Sequence, residues 1–199
     1  MAEIKALTLP GELEDYRQLV RNRLQDERYF HTLGVAKLAG ELAEAYHADR
    51  MSALTAALLH DVTKQVPLDI QLQTIKNSGI LNDEILLEST NIYHSVTGFL
   101  FARDQLGITD VDILNAIRYH TTGRAGMSIL EKIIYTSDAT SYEREYPEAG
   151  RLRALAFENI DRCIYEILMF TIEKLMKRHI LIAPDTFYCY NDICRKAGK

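Results

Sequence analysis

Apolar residues recur at three- and four-residue spacing along almost the whole chain, and strand-type alternation is nearly absent. That periodicity restricts the 199 residues to an all-α architecture with one core. A first helix is expected from Glu12 to about Gln25, burying Leu13, Tyr16, Leu19, Val20 and Leu24. A second begins near His31 in "HTLGVAKLAGELAEAYH", with Val35, Leu38, Ala39, Leu42, Ala43 and Tyr46 on its apolar face. Asp49 is placed to cap "RMSALTAALLH", whose later turns are apolar nearly all round and so belong at the centre. Pro67 and Gly79 bracket the next helix. Others run from His94 to about Leu106, from an Asp110 cap through "VDILNAIRYH", and from Ser128 through "SILEKIIYTSDAT". Arg151 to about Arg178 reads as one long helix or two with a slight break, and Pro184 opens a short terminal piece. No repeat, low-complexity tract or linker interrupts residues 1–199.

Composition narrows the function classes. The formal net charge of −5 excludes a global basic field for nucleic acid. The longest apolar runs fall short of 18 residues, and the N-terminus lacks a basic, then apolar, leader, so neither a membrane span nor a signal peptide is expected. Cys163, Cys189 and Cys194 form neither a disulfide framework nor a zinc spacing, which fits a reducing cytoplasm.

Polar residues break into this apolar frame at particular places. His31 begins one helix, His60-Asp61 end another, His94 begins a third, His120 ends a fourth, and Asp138 lies late in "KIIYTSDAT". An HD pair alone is commonly just a helix running out into water. Four histidines at helix ends, with two aspartates, are instead the ligand set of divalent metals, since helix ends of a bundle can converge. Two metals would need about this many ligands, with a carboxylate between them.

The order His31, His60-Asp61, Asp138 resembles the metal-binding pattern of the HD superfamily of metal-dependent phosphohydrolases, and His94 and His120 resemble its two-metal branches. More narrowly, "HTLGV", "AALLHDVTK", "AIRYHTTGRAGMSILEKIIYTSD" and "YEREYP" resemble the YqeK family of symmetrical bis(5′-nucleosyl)-tetraphosphatases, over about Arg28 to Asn191. The resemblance implies an HD-type helical bundle spanning 1–199 as a single domain, whose C-terminal helical segment completes a nucleotide site. It implies hydrolysis of diadenosine tetraphosphate to two ADP by hydroxide activated at two metal ions, divalent or mixed-valence, iron first, with manganese or zinc also compatible. His31, His60, Asp61 and Asp138 would hold the first ion, and Asp61 would bridge to a second served by His94 and His120, which would otherwise touch phosphate. Lys64, Thr121 and Arg144 would contact phosphate, and Leu181, Ile182, Ala183, Pro184, Asp185 and Thr186 would pack on the nucleoside, with Asn191 on the base side. The partner is then a small nucleotide, with no nucleic acid or membrane, and the chain a monomer or homodimer.

Departures from the family pattern are Ser137 before Asp138, Ser141-Tyr142-Glu143 where Glu-Pro commonly precedes the arginine, and Ala183 where a histidine commonly precedes the proline. The same ligand set would also suit another HD phosphohydrolase, acting on nucleoside monophosphates or a cyclic dinucleotide, or a non-catalytic nucleotide sensor. Several residues carry plainer readings. Lys64 would pair with Asp69 or Glu84 at the surface; Arg21, Arg23 and Arg28 form a solvated face; His47 sits idle in an exposed turn; His179 caps the end of the long helix; Gly123 makes the turn after His120.

Overall fold

The computed structural model describes residues 7–81 and 83–197. Among them are eleven α-helices and no strand: α1 (Glu14–Arg23), α2 (Asp26–Ala45), α3 (Arg50–Leu59), α4 (Leu68–Ser78), α5 (Glu84–Glu88), α6 (Tyr93–Asp104), α7 (Val111–Tyr119), α8 (Ile129–Thr140), α9 (Ala149–Glu158), α10 (Ile160–Lys177) and α11 (Pro184–Ala197). Short 3₁₀ turns at Gly11–Leu13 and Thr90–Ile92 lead into α1 and α6.

The helix starts follow local chemistry. Asp49 accepts from the Ser52 amide at 2.6 Å, and Asp110 from those of Asp112 and Ile113 at 2.8 and 3.3 Å. Ser128 and Glu131 close a capping box at the head of α8. Asn159 settles the break in the long C-terminal helix: it ends α9, and its side chain accepts from the Arg162 amide at 3.0 Å to open α10. His179, just past the end of α10, adopts φ 54° and turns the chain through its backbone, not its side chain.

Three expectations need correcting. Helix α2 starts at Asp26, not near His31, because Asp26 and Glu27 supply an acidic first turn that suits the positive end of the helix dipole. His31 therefore lies one turn inside. Helix α5 was not expected, since its five residues are too few to show a period. The piece opened by Pro184 is a full 14-residue helix.

Helices α2 and α3 form the centre. Helix α3 is buried on nearly all sides and α2 along its middle turns, and Leu38, Leu42, Leu54, Leu58 and Leu59 are fully buried. Helix α7 packs on α3 and α8 on both, with α6 against α7 and α10 against α8, and burial of each such leucine contributes about 1.5–3 kcal/mol. A small satellite core of Ile75, Leu81, Tyr93, Val96 and Leu100 seats α4 against α6. In this arrangement the C-terminal ends of α3, α7 and α8 meet the N-terminal parts of α2 and α6.

Helix α11 is held against the turn that follows His120. Gly123 has φ 64°, and a Cβ there would lie 2.6 Å from Cys189 Sγ on α11. Gly126 has φ 69° with nothing within 4 Å of its would-be Cβ, so the two positions separate backbone strain from steric clash. Gly126→Ala is expected to cost about 1 kcal/mol in denaturant unfolding and Gly123→Ala clearly more, since overpacking adds about 1–3 kcal/mol. Equal costs would mean that Cys189 on α11 does not crowd Gly123.

Candidate metal centre

The turn His60–Gln65 leaves α3 just as its apolar run ends, and places Asp61 at the point where the helix ends meet. Asp61 is 2% exposed. Its two oxygens face different neighbours. Oδ1 lies 3.2 Å from His94 Nε2, 3.7 Å from His120 Nε2 and 3.9 Å from Lys64 Nζ. Oδ2 lies 3.5 Å from His60 Nε2 and 3.0 Å from Arg28 Nη1. Burial works to raise the carboxyl pKa, but His60, His120 and His94 hold it well below the ordinary carboxylate range.

The imidazoles are oriented by their outer nitrogens. His60 Nδ1 donates to the Ala57 carbonyl at 2.6 Å and His120 Nδ1 to that of Ile117 at 2.8 Å. A carbonyl only accepts, so a proton sits on Nδ1 in both rings and Nε2 is the nitrogen turned inward. His60 Nε2 is fully buried with no hydrogen-bond partner. His94 Nε2 and His120 Nε2 face one another at 3.1 Å. Burial pushes the His94 pKa down to about 4, partly offset by Asp61, so this ring is neutral near pH 7. Inward Nε2 atoms, one of them without a hydrogen-bond partner, are what a cation would satisfy.

Two groups of three residues each bring ligand atoms within 4.8 Å of one another: His31, His60 and Asp61, and Asp61, His94 and His120. They share Asp61. Asp138, from the last turn of α8, joins the first group through its Oδ1, 2.9 Å from His31 Nε2. The donor set therefore fits a pair of divalent cations with one carboxylate between them.

The rim is basic. Lys64 Nζ lies 3.0 Å from His94 Nε2 and 3.3 Å from its Nδ1, and burial lowers its pKa. It faces the centre and does not pair with Asp69 or Glu84, as the surface reading had it. Arg28 lies on Asp61, so it too leaves the solvated face; Arg21 and Arg23 remain exposed there. Arg144 reaches back onto Asp138, with Nη2 3.0 Å from Oδ1 and Nε 3.1 Å from the backbone carbonyl. An arginine six residues past the aspartate was expected to meet phosphate alone; here it also braces a carboxylate of the centre. Thr121 donates to Ser95 Oγ at 3.3 Å, tying the end of α7 to α6.

The C-terminal residues lie farther out. Ala183 and Thr186 are buried, Ile182, Pro184 and Asp185 half-buried, and Leu181 and Asn191 exposed. Asp185 feels the charges of Arg118 and Arg124, which puts the head of α11 beside the end of α7. Arg118, 6% exposed with its Nη1 lacking any hydrogen bond, went unread in the sequence, because nothing in "AIRYH" distinguishes it from a surface arginine. Glu143 went unread as well. It binds His31 Nδ1 and accepts from Ser141 Oγ at 2.5 Å, so the ring is held at both nitrogens. Burial lowers the His31 pKa, but Asp138 and Glu143 together outweigh it and carry the group up to about 9. The displaced acidic residue in Ser141-Tyr142-Glu143 was the available signal. His47 stands exposed at φ 53°, away from this set.

Comparison with known proteins agrees with this geometry. The HD domain family matches residues 28–156, and HD domain proteins bind divalent metals. A symmetrical bis(5′-nucleosyl)-tetraphosphatase of Halalkalibacterium halodurans is 37% identical over 176 residues, 88% of this chain and 94% of that protein. One from Bacillus subtilis is 36% identical over 178 residues, 89% of this chain and 95% of that protein. A crystal structure from Clostridium acetobutylicum, described as a predicted HD superfamily hydrolase involved in NAD metabolism, superposes with a TM-score of 0.89 at 31% identity, covering 92% of this chain and 97% of that one. The His31, His60-Asp61, Asp138 frame, the helical bundle and these relatives agree: the chain belongs to the HD domain family and groups there with the symmetrical bis(5′-nucleosyl)-tetraphosphatases.

Proposed function

We propose that the protein hydrolyses diadenosine tetraphosphate to two ADP, a reading supported by relatives named symmetrical bis(5′-nucleosyl)-tetraphosphatases. The observation that carries the reading is Asp61, whose two oxygens are shared between two sets of histidines. In this reading His31, His60, Asp61 and Asp138 hold one cation, and Asp61, His94 and His120 hold the other, with iron the first choice of metal. Bound there, the pair supplies a water of lowered pKa and charge to offset the phosphate oxygens.

The chain's own groups do the rest. Lys64, at the His94 side, carries a point charge that one phosphate oxygen meets. Arg144, at the Asp138 side, presents a planar fork to two oxygens and shares it with the carboxylate it braces. Thr121 would turn its hydroxyl proton from Ser95 to a phosphate oxygen beside His120. The segment Leu181–Thr186 covers one nucleoside, with Asn191 toward the base, so the C-terminal helix completes the site and sets the distance from base to scissile bond. A fixed distance of that kind selects the central anhydride, and both products are then ADP.

Chromatography of an early time point tests the reaction: ADP is expected as the sole nucleotide product, and equal ATP and AMP would refute the symmetrical cut. Asp61→Asn keeps the shape of the bridge but halves its ligand capacity. It is expected to lower metal affinity by more than the roughly 10–100-fold that outer-shell changes produce. His47→Asn, in an exposed turn that tolerates positive φ, is the control and should retain metal. Glu143→Ala should fall within that 10–100-fold window, with Glu143→Gln between it and the wild type, because glutamine still accepts from Nδ1 without the charge. Unchanged metal titration in Glu143→Ala would make the residue a mere loop contact. Lys64→Ala should keep the metal and lose roughly ten- to a hundredfold in kcat/KM, the worth of one charge-assisted hydrogen bond.

A further inference from the structure

A dinucleotide has two nucleosides, and the Leu181–Thr186 segment accounts for one. That segment heads α11 on the side of the centre where α7 ends in His120, since Asp185 lies within electrostatic reach of Arg118. On the other side, past Asp138, lies a cavity of about 320 Å³ lined by Ala139, Arg144, Tyr146, Phe170, Thr171 and Lys174, with Leu152 and Ile167 as its apolar floor. Pockets of roughly 300 Å³ and upward are the ordinary size for small ligands.

Three features give this cavity its chemistry. Arg144 forms one end, and its Nη2 is the group 3.0 Å from Asp138 Oδ1, so the cavity and the metal centre share one guanidinium. Phe170 stands 53% exposed, its ring within 9° of parallel to Tyr146 at 6.1 Å between centroids. Tyr146 donates from its hydroxyl to the Ala139 carbonyl at 2.8 Å, which anchors one ring of the aromatic wall. Lys174 lies one helical turn beyond Phe170 on α10, exposed, with no ion pair among the described residues. An apolar floor, a flat aromatic face, a guanidinium shared with the metal centre and an unpaired ammonium at the rim are groups that suit the base and phosphates of a nucleoside diphosphate.

We propose that this cavity is the subsite for the second nucleoside, with the base against Phe170, Lys174 at the outer rim and the phosphates passing Arg144 toward Asp138. The inference rests on the hydrolase reading above and extends it to the half of the substrate that the C-terminal segment leaves uncovered. With a nucleoside seated on each side of the Asp61 bridge, the central anhydride lies over the metals. The cut is then symmetrical by construction.

Equilibrium dialysis of ADP against the metal-loaded protein tests it directly. Two ADP per chain are expected for the wild type, and one for Phe170→Ala and for Lys174→Ala, both exposed positions whose change spares the core. Kinetically, Phe170→Ala should raise KM for diadenosine tetraphosphate about tenfold, as loss of one base–aromatic stack does. The ratio of that KM to the KM for adenosine 5′-tetraphosphate, which has a single nucleoside, should rise with it. A single ADP per wild-type chain, or two retained in Phe170→Ala, overturns the subsite. A change of oligomeric state in Phe170→Ala with ADP stoichiometry intact also overturns it and makes Phe170 a contact between copies. Failure of the wild type to cleave the dinucleotide while it still binds two ADP would instead remove the hydrolase reading and leave the cavity as a nucleotide site.

Discussion

A buried carboxylate organises this molecule. Asp61 is almost fully enclosed, and an ion in such a place is tolerated only with partners on every side. His60, His94 and His120 supply them from three helix ends, and Arg28 from α2 supplies a fourth. Removing one member of a buried charge set leaves the others uncompensated at a cost of about 3–5 kcal/mol, so the set holds together or fails together. The bundle can be seen as the apolar frame that brings these ends to one point.

That convergence needs helices that stop at the right residue, and local chemistry decides where they stop. His60 and His120 each cap their own helix and bond back to a carbonyl three residues earlier, so one contact ends the helix and aims the ring. Thr63 then ties the HD turn to α6 by donating to the His94 carbonyl at 2.9 Å, which fixes the two ligand-bearing segments against each other. On the far side, the turn after α8 carries Glu143 and Arg144, one on His31 and one on Asp138. Arg153 holds that turn by donating to the Thr140 and Ser141 carbonyls at 2.7 and 2.8 Å. Orientation is thus built into the backbone two shells out from the centre.

Much of this was legible in the sequence, for physical reasons that differ by residue. The caps at Asp49, Asp110 and Ser128 are local, since a side chain and an amide two or three residues on suffice to define them. The His and Asp positions stood out because polar groups interrupted helices that were otherwise apolar. Contacts between distant residues left no such trace. Arg28 reaches Asp61 across 33 positions and in sequence looks like an ordinary surface charge, while Glu143 reaches His31 across 112 and only its displacement from the family's Glu-Pro marked it. Helix α2 was read as amphipathic because its small residues, Gly34, Ala36 and Gly40, do not announce that they are buried. The same limit hid the cavity beside Arg144, whose walls come from α8, α9, α10 and the turn between α8 and α9.

The central claim is that Asp61 joins two cations. Anomalous diffraction from crystals of the metal-loaded protein, collected at the absorption edge of the metal found in solution, measures this directly. The account predicts two peaks a few ångströms apart with one Asp61 oxygen toward each, His31, His60 and Asp138 around the first, and His94 and His120 around the second. A single peak, or a pair that Asp61 does not touch, would contradict it.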